Sequence, residues 1–150
     1  MRDIHKTNVV GKPRLERIAL IKAVLHGYRA RLDEELLGLG VTTAQLGLLW
    51  AVERNPAASG AEVARLCSVT PQTGQATMAR MEANGWLVRK RGEKSERVLV
   101  AALTAKGRRV LVRAKEIAED LDRTIWAGVT RKELDGLDAG LKQVLGRLGR

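Results

Sequence analysis

Apolar residues recur at helical spacing from Pro13 onward. Leu15, Ile18, Leu25, Tyr28, Leu32 and Leu36 fall three, four or seven residues apart and share one face, with Gly38 and Gly40 as C-caps. Thr42 or Thr43 caps a second helix carrying Leu46, Leu49 and Trp50, and Asn55-Pro56 stops it. Ser59 or Gly60 opens a short third helix, Ala61 to Leu66, followed by a tight Cys67-Ser68-Val69 connection. Thr70-Pro71 then starts a fourth helix: a capping hydroxyl precedes a proline placed where its missing N–H costs nothing. That helix runs to Asn84 and ends at Gly85. Gly74, Met78 and Met81 form its apolar side, and Gly74 allows close approach to the preceding helix. Pro71, Gln72, Gln75, Ala76 and Ala79 make an opposite face without acids, with Arg80 near its end. The period then shortens. Trp86 to Arg89 reads as a strand, Gly92 to Ser95 as a turn, and Arg97 to Leu103 as a second, β-branched-rich strand. Thr104 caps a long helix through Leu111, Ala114, Leu121 and Ile125, weakened near its start by Gly107. Thr130 with Glu133 is a capping box opening a last helix with Leu134, Leu137, Leu141, Val144, Leu145 and Leu148 on one side.

This order predicts a mainly α chain with a small β-hairpin wing, a winged helix-turn-helix flanked by N- and C-terminal helices. Residues 42–107 form the expected core, and residues 12–38 and 108–150 the expected dimerisation helices of a single 150-residue chain. The apolar stripes at both ends exceed what one small core covers, which predicts pairing with a second copy. The fourth helix, at roughly 1.5 Å per residue, spans about 20 Å, enough to lie across a major groove about 12 Å wide.

Composition sharpens this picture. The chain is 45% apolar and 29% charged with a formal charge of +10, ordinary for a folded domain except in its basicity. The excess is concentrated: residues 70–110 carry nine Lys or Arg against three acids, a net +6. Arg89, Lys90, Arg91, Lys94 and Arg97 fall within nine residues, the footprint of a polyanion binder. One cysteine and two histidines argue against a disulfide scaffold or a metal centre, and no cofactor is expected. With no Phe and few other rings, a stacking platform for single strands is disfavoured. No apolar run reaches the roughly 18 residues of a membrane span, and Met1 to Pro13 lacks a signal-peptide core, so a cytoplasmic protein is expected. Motifs of serine hydrolases, P-loop enzymes and zinc proteases are missing, so the chain does not read as an enzyme.

The candidate contact residues follow from the helix-turn-helix. Gln72 and Gln75 sit on the first exposed turns, where an amide pairs with adenine; simple solvation is the competing reading. Thr70 and Thr73 offer hydroxyls to phosphates, although Thr70 is first a cap. Pro71 and Ala76 share that surface, and Arg80 is a phosphate candidate or a partner for a helix-end acid. Arg91, Lys94 and Arg97 lie at or beside the wing tip, for phosphate or minor-groove contact, with Glu93 and Glu96 as alternative partners for Arg97. Cys67 reads as a small buried hydrophobe; Trp50, Trp86, Trp126, Met78 and Met81 read as core.

An ordered set of motifs then narrows the class. Thr42-x-x-Gln45, Glu62 through Thr73, Met81 through Arg89, and Arg97 with Leu103-Thr104-Ala105-Lys106-Gly107 resemble the MarR (multiple antibiotic resistance regulator) family from Thr42 to Gly107. The resemblance implies an obligate homodimer, a palindromic operator in double-stranded DNA, and a repressor answering to a small-molecule effector. Three positions depart from it. Many members carry Asp-Arg-Arg where this chain has Ser95-Glu96-Arg97, and many have Arg at the position of Ala76. Those departures keep open a second class, a winged-helix protein-interaction module without DNA binding. The two differ in salt response. For a duplex binder, log affinity should fall against log salt with a slope near −0.9 per phosphate neutralised, measured by fluorescence anisotropy; a flat response contradicts it.

Overall fold

A computed structural model describes residues 13–92 and 95–149, less the side chains of 13, 14 and 95–98. Among the described residues six α-helices and a two-stranded hairpin run in the order α1 (Pro13–Leu36), α2 (Thr43–Arg54), α3 (Gly60–Leu66), α4 (Pro71–Ala83), β1 (Leu87–Gly92), β2 (Ser95–Leu103), α5 (Ala105–Ile125) and α6 (Arg131–Arg147). This is the expected mainly α architecture with a hairpin wing. The chain divides after Ala118 into two compact units, the division falling within α5.

The helix starts are written in side chains. Thr42, Ser59 and Thr130 each accept from the backbone N–H three residues on, and Gln45, Glu62 and Glu133 return the bond to the cap's own N–H. Thr70 accepts from Thr73 N–H ahead of Pro71 at the first turn. Each cap fixes where a helix begins, and so which residues face inward. One short 3-10 turn, Leu37–Leu39, separates α1 from α2, and of the two glycines expected to close α1 it is Gly40, at φ +69°, that takes the left-handed conformation.

Within the first unit the core gathers Leu46, Leu49 and Val52 of α2, Val63 and Ala64 of α3, Met78 and Met81 of α4, Trp86, Leu87 and Leu103 of the hairpin, and Leu111 and Ala114 of α5, all buried. The strands are longer than expected. Their antiparallel register pairs Leu87 with Leu103 and Arg91 with Leu99, so the first strand continues past Arg89 through Lys90 and Arg91. Two aromatic assignments change. Trp86 is core, but Trp50 is 44% exposed, because it sits one helical step round from Leu49, off the α2 stripe that fills the core. Trp126 is half-buried and donates from Nε1 to Asp122 in the second unit. Leu66, at the end of α3, is also exposed.

Two glycines are demanded by contact. A Cβ on Gly74 would lie 2.5 Å from Cβ of Ala64, so α3 and α4 cross at backbone distance. A Cβ on Gly107 would lie 2.0 Å from the Trp86 carbonyl oxygen, so the first turn of α5 rests on the chain leaving α4. Gly107→Ala should therefore destabilise the protein by about 2–4 kcal/mol, a clash with backbone that no side chain can relieve. Gly136→Ala, in α6 with open space around it, should leave the urea midpoint unchanged or raised. Equal midpoints for the two variants would contradict the packing at Trp86.

Candidate nucleic-acid interface

The turn between α3 and α4 is closed by two backbone bonds: Ser68 N–H donates to Arg65 O and Val69 N–H to Ala64 O, each at 3.0 Å. Ser68 adopts φ +56°, the left-handed conformation that a Schellman closure needs, here without glycine. The same closure ends α4. Gly85 N–H donates to Glu82 O and Trp86 N–H to Met81 O, each at 2.9 Å, with Gly85 at φ +72°. Beyond it, Thr104 Oγ1 donates to Gly85 O at 2.6 Å and Lys106 Nζ to Asn84 O at 2.9 Å. Helix α4 is thus held at both ends by backbone geometry.

Its rotation is set by the burial of Gly74, Met78 and Met81. Opposite them Pro71, Gln72, Thr73, Gln75, Ala76 and Arg80 are all exposed, on the side the sequence pattern assigns outward. Thr70 Oγ1 accepts from Thr73 N–H at 3.2 Å and donates to Thr73 Oγ1 at 2.9 Å, so the Thr70 hydroxyl proton is committed within the cap. Thr73 keeps a hydroxyl proton that it can donate outward. Arg80 is not matched by the nearby acid: Glu82 is engaged by Arg89 Nε of β1 at 3.2 Å, an ion pair tying the wing to the end of α4.

Arg89, Lys90 and Arg91 form an exposed basic strand beside that helix. Lys94 lies outside the described residues. The backbone of Arg97 lies in β2, and its side chain lies outside the described part.

A cleft of about 570 Å³ opens between α1, α2 and the turn after α3, lined by Arg29, Asp33, Thr43, Trp50, Arg54 and Cys67 among others. Trp50 is flanked by the Arg54 guanidinium and the Lys115 ammonium, each 5.7 Å from its ring centroid, a favourable cation–π placement. Asp33 Oδ1 accepts from Thr43 N–H at 2.6 Å, while Thr43 Oγ1 is buried without a hydrogen-bond partner among the described residues. Sequence reading missed this cleft, because its residues come from separate elements and only the fold brings them together. Among the described residues no cluster of metal-ligating side chains occurs, and no single helix is long and apolar enough to cross a membrane.

Known proteins share this arrangement. A MarR-family model matches residues 39–97. The HTH-type transcriptional repressor Rv2887 of Mycobacterium tuberculosis is 31% identical over 121 residues, covering 81% of this chain and 84% of the relative. The chain belongs to the MarR family. Among solved structures, a mutant of E. coli MarR complexed with operator DNA superimposes with a TM-score of 0.78 at 25% identity, covering 89% of this chain and 94% of that one. The Staphylococcus aureus MepR–DNA complex has the same fold, with a TM-score of 0.80 at 16% identity over 91% of this chain and 99% of that one. So does the organohalide-sensing regulator RdhR-CbdbA1625 in its 2,4-dichlorophenol-bound form, with a TM-score of 0.81 at 19% identity over 98% and 89% of the two chains.

Cys67 lines the cleft of this MarR-family chain, half-buried, and burial raises its thiol above the ordinary range. It stays protonated at neutral pH, and the thiolate is the reactive form. Alkylation by iodoacetamide at pH 7 should be slower than for a free cysteine, with a rate that climbs with pH and levels off only above the usual thiol range. A rate at or above that of free cysteine, followed by mass spectrometry, would contradict this.

Proposed function

We propose that the chain is a sequence-specific transcriptional repressor that binds double-stranded DNA in the cytoplasm, as a homodimer on a palindromic operator. The carrying observation is the outward face of α4: amides, hydroxyls and one arginine exposed on a helix whose other face is buried, beside an exposed basic strand. A helix so placed enters the major groove with its early residues at base edges. Gln72 and Gln75 take adenine. Ala76 meets a thymine methyl, and Thr70, Pro71 and Thr73 lie at the phosphate-facing N-terminus. Arg80 holds a phosphate, and Arg91, Lys94 and Arg97 of the wing hold phosphates or enter a narrow minor groove.

In this reading residues 42–107 are the DNA-binding core, and residues 12–38 and 108–150 join two copies. The support for pairing is bare apolar surface. Leu15, Ile18, Ile21 and Leu25 on α1, and Leu137, Leu141 and Leu145 on α6 with Leu148 just beyond it, are each at least 40% exposed. Covering such a side chain fully contributes about 1.5–3 kcal/mol, enough in sum to outweigh the cost of association. The paired α4 helices then meet successive major grooves, roughly 34 Å apart. The cleft around Trp50 is the effector site of this reading. Its exposed ring and two guanidinium groups fit a planar aromatic anion. A ligand favouring one separation of the α4 helices shifts the population toward it.

Two variants separate the contact classes. Gln75→Ala should change base preference in selections from a random duplex library. Arg97→Ala should weaken binding about equally to every sequence and reduce the salt slope by about one phosphate's worth. Wild-type behaviour in both variants, at unchanged thermal stability, would refute the assignment of these contacts.

A further inference from the structure

Gln75 does not stand alone on its helix face. An ideal Cβ built on Gly60, the first residue of α3, would lie 3.0 Å from Gln75 Nε2 and 3.0 Å from Met78 Cε. The Gln75 amide therefore lies over a position kept free of side-chain atoms by glycine. Around it is a cleft of about 220 Å³ whose other walls include Met78, Arg89 and Ala101.

The backbone at Gly60 is not free to retreat. Ser59, just before it, accepts from Glu62 N–H and donates its own N–H to Glu62 Oε2 at 2.7 Å. Ser59 also bridges to Val100 of β2. Gly60 thus stands between a capping box and the wing, and its φ lies outside the left-handed region, so an alanine meets no backbone strain. What must give way to a new methyl group is the flexible end of Gln75 or Met78. Met78 is 3% exposed and packed in the core, whereas Gln75 is exposed, so the amide moves.

We infer that Gly60 is a specificity-determining positioning residue: the space it leaves sets the rotamer of the Gln75 amide, and through it the base that α4 reads. The inference rests on α4 as the DNA-reading helix. Gly60 touches no base in this arrangement and acts only through Gln75. The space admits an orientation of the amide that a methyl group would exclude, and displacing the amide from it lowers discrimination rather than general affinity.

The test is a four-member cycle of wild type, Gly60→Ala, Gln75→Ala and the double variant. Each is presented with the duplex that wild type enriches from a random library, with the single-base variants of that duplex, and with a scrambled duplex. Gly60→Ala should cut discrimination at one base pair by about fivefold or more, the low end of what one such contact supplies. Affinity for the scrambled duplex and the urea midpoint should hold. In the Gln75→Ala background the same substitution should change nothing further. Loss of discrimination of equal size in both backgrounds, or in neither, would overturn the inference. Wild-type protein that enriches no duplex at all would instead remove the reading of α4 beneath it. Gly60→Ser, of similar bulk, should reproduce the effect of Gly60→Ala if the space itself is what matters.

Discussion

Everything outward-facing in this chain depends on how closely α4 can approach its neighbours. Gly74 lets α4 cross α3 at backbone distance, and Gly107 lets α5 start against the Trp86 carbonyl. A helix packed that tightly has one rotation. Turning it by a single residue, about 100°, would carry the Gln72 and Gln75 amides toward the core and bring Met78 and Met81 toward water. Burying an amide without a partner costs a few kcal/mol, and exposing two methionines costs a similar amount, so the rotation is strongly fixed. The outward amide face is thus a consequence of what packs behind it.

Charge adds a second, looser level. Among the described residues, exposed Arg80 of α4 and exposed Arg89, Lys90 and Arg91 of β1 bring positive charge to the neighbourhood of the amide face, where it would attract a polyanion at long range. The Arg89–Glu82 pair ties the two together mechanically, though both side chains are solvent-exposed and a pair of this kind stabilises by at most about 1 kcal/mol. Its importance is geometric: it joins the strand carrying the basic residues to the end of the helix carrying the amides.

Much of this was legible in the sequence because it is local. Thr70-Pro71, Thr130 with Glu133, and Gly85 mark helix ends through bonds made within four residues, and each falls where the pattern placed it. The inward trio of α4 is equally local, a matter of three- and four-residue spacing. The strand lengths were less legible. Lys90 and Arg91 carry no apolar alternation, yet their backbone pairs with β2 regardless of side chain. Ser68 gave no sign of its left-handed conformation, since glycine is the residue that announces it. Trp50 was misplaced because a tryptophan on an apolar helix is usually core, and only the positions of α1 and α5 decide that this one flanks a cleft beside Arg54 and Lys115. The role of Gly60 was invisible for the same reason: it depends on where Gln75, fifteen positions away, folds back.

Two features stand on different scales, an outward helix face of amides and hydroxyls and apolar helices left bare at both ends of the chain. In the proposed dimer a second copy covers the apolar surface and thereby sets the distance between the two α4 helices. Hydroxyl-radical footprinting on the duplex that the protein enriches from a random library measures that distance directly. Two protected windows related by a two-fold axis, about ten base pairs apart, are predicted. A single window, or two at a spacing that does not return to the same side of the duplex, would contradict the account.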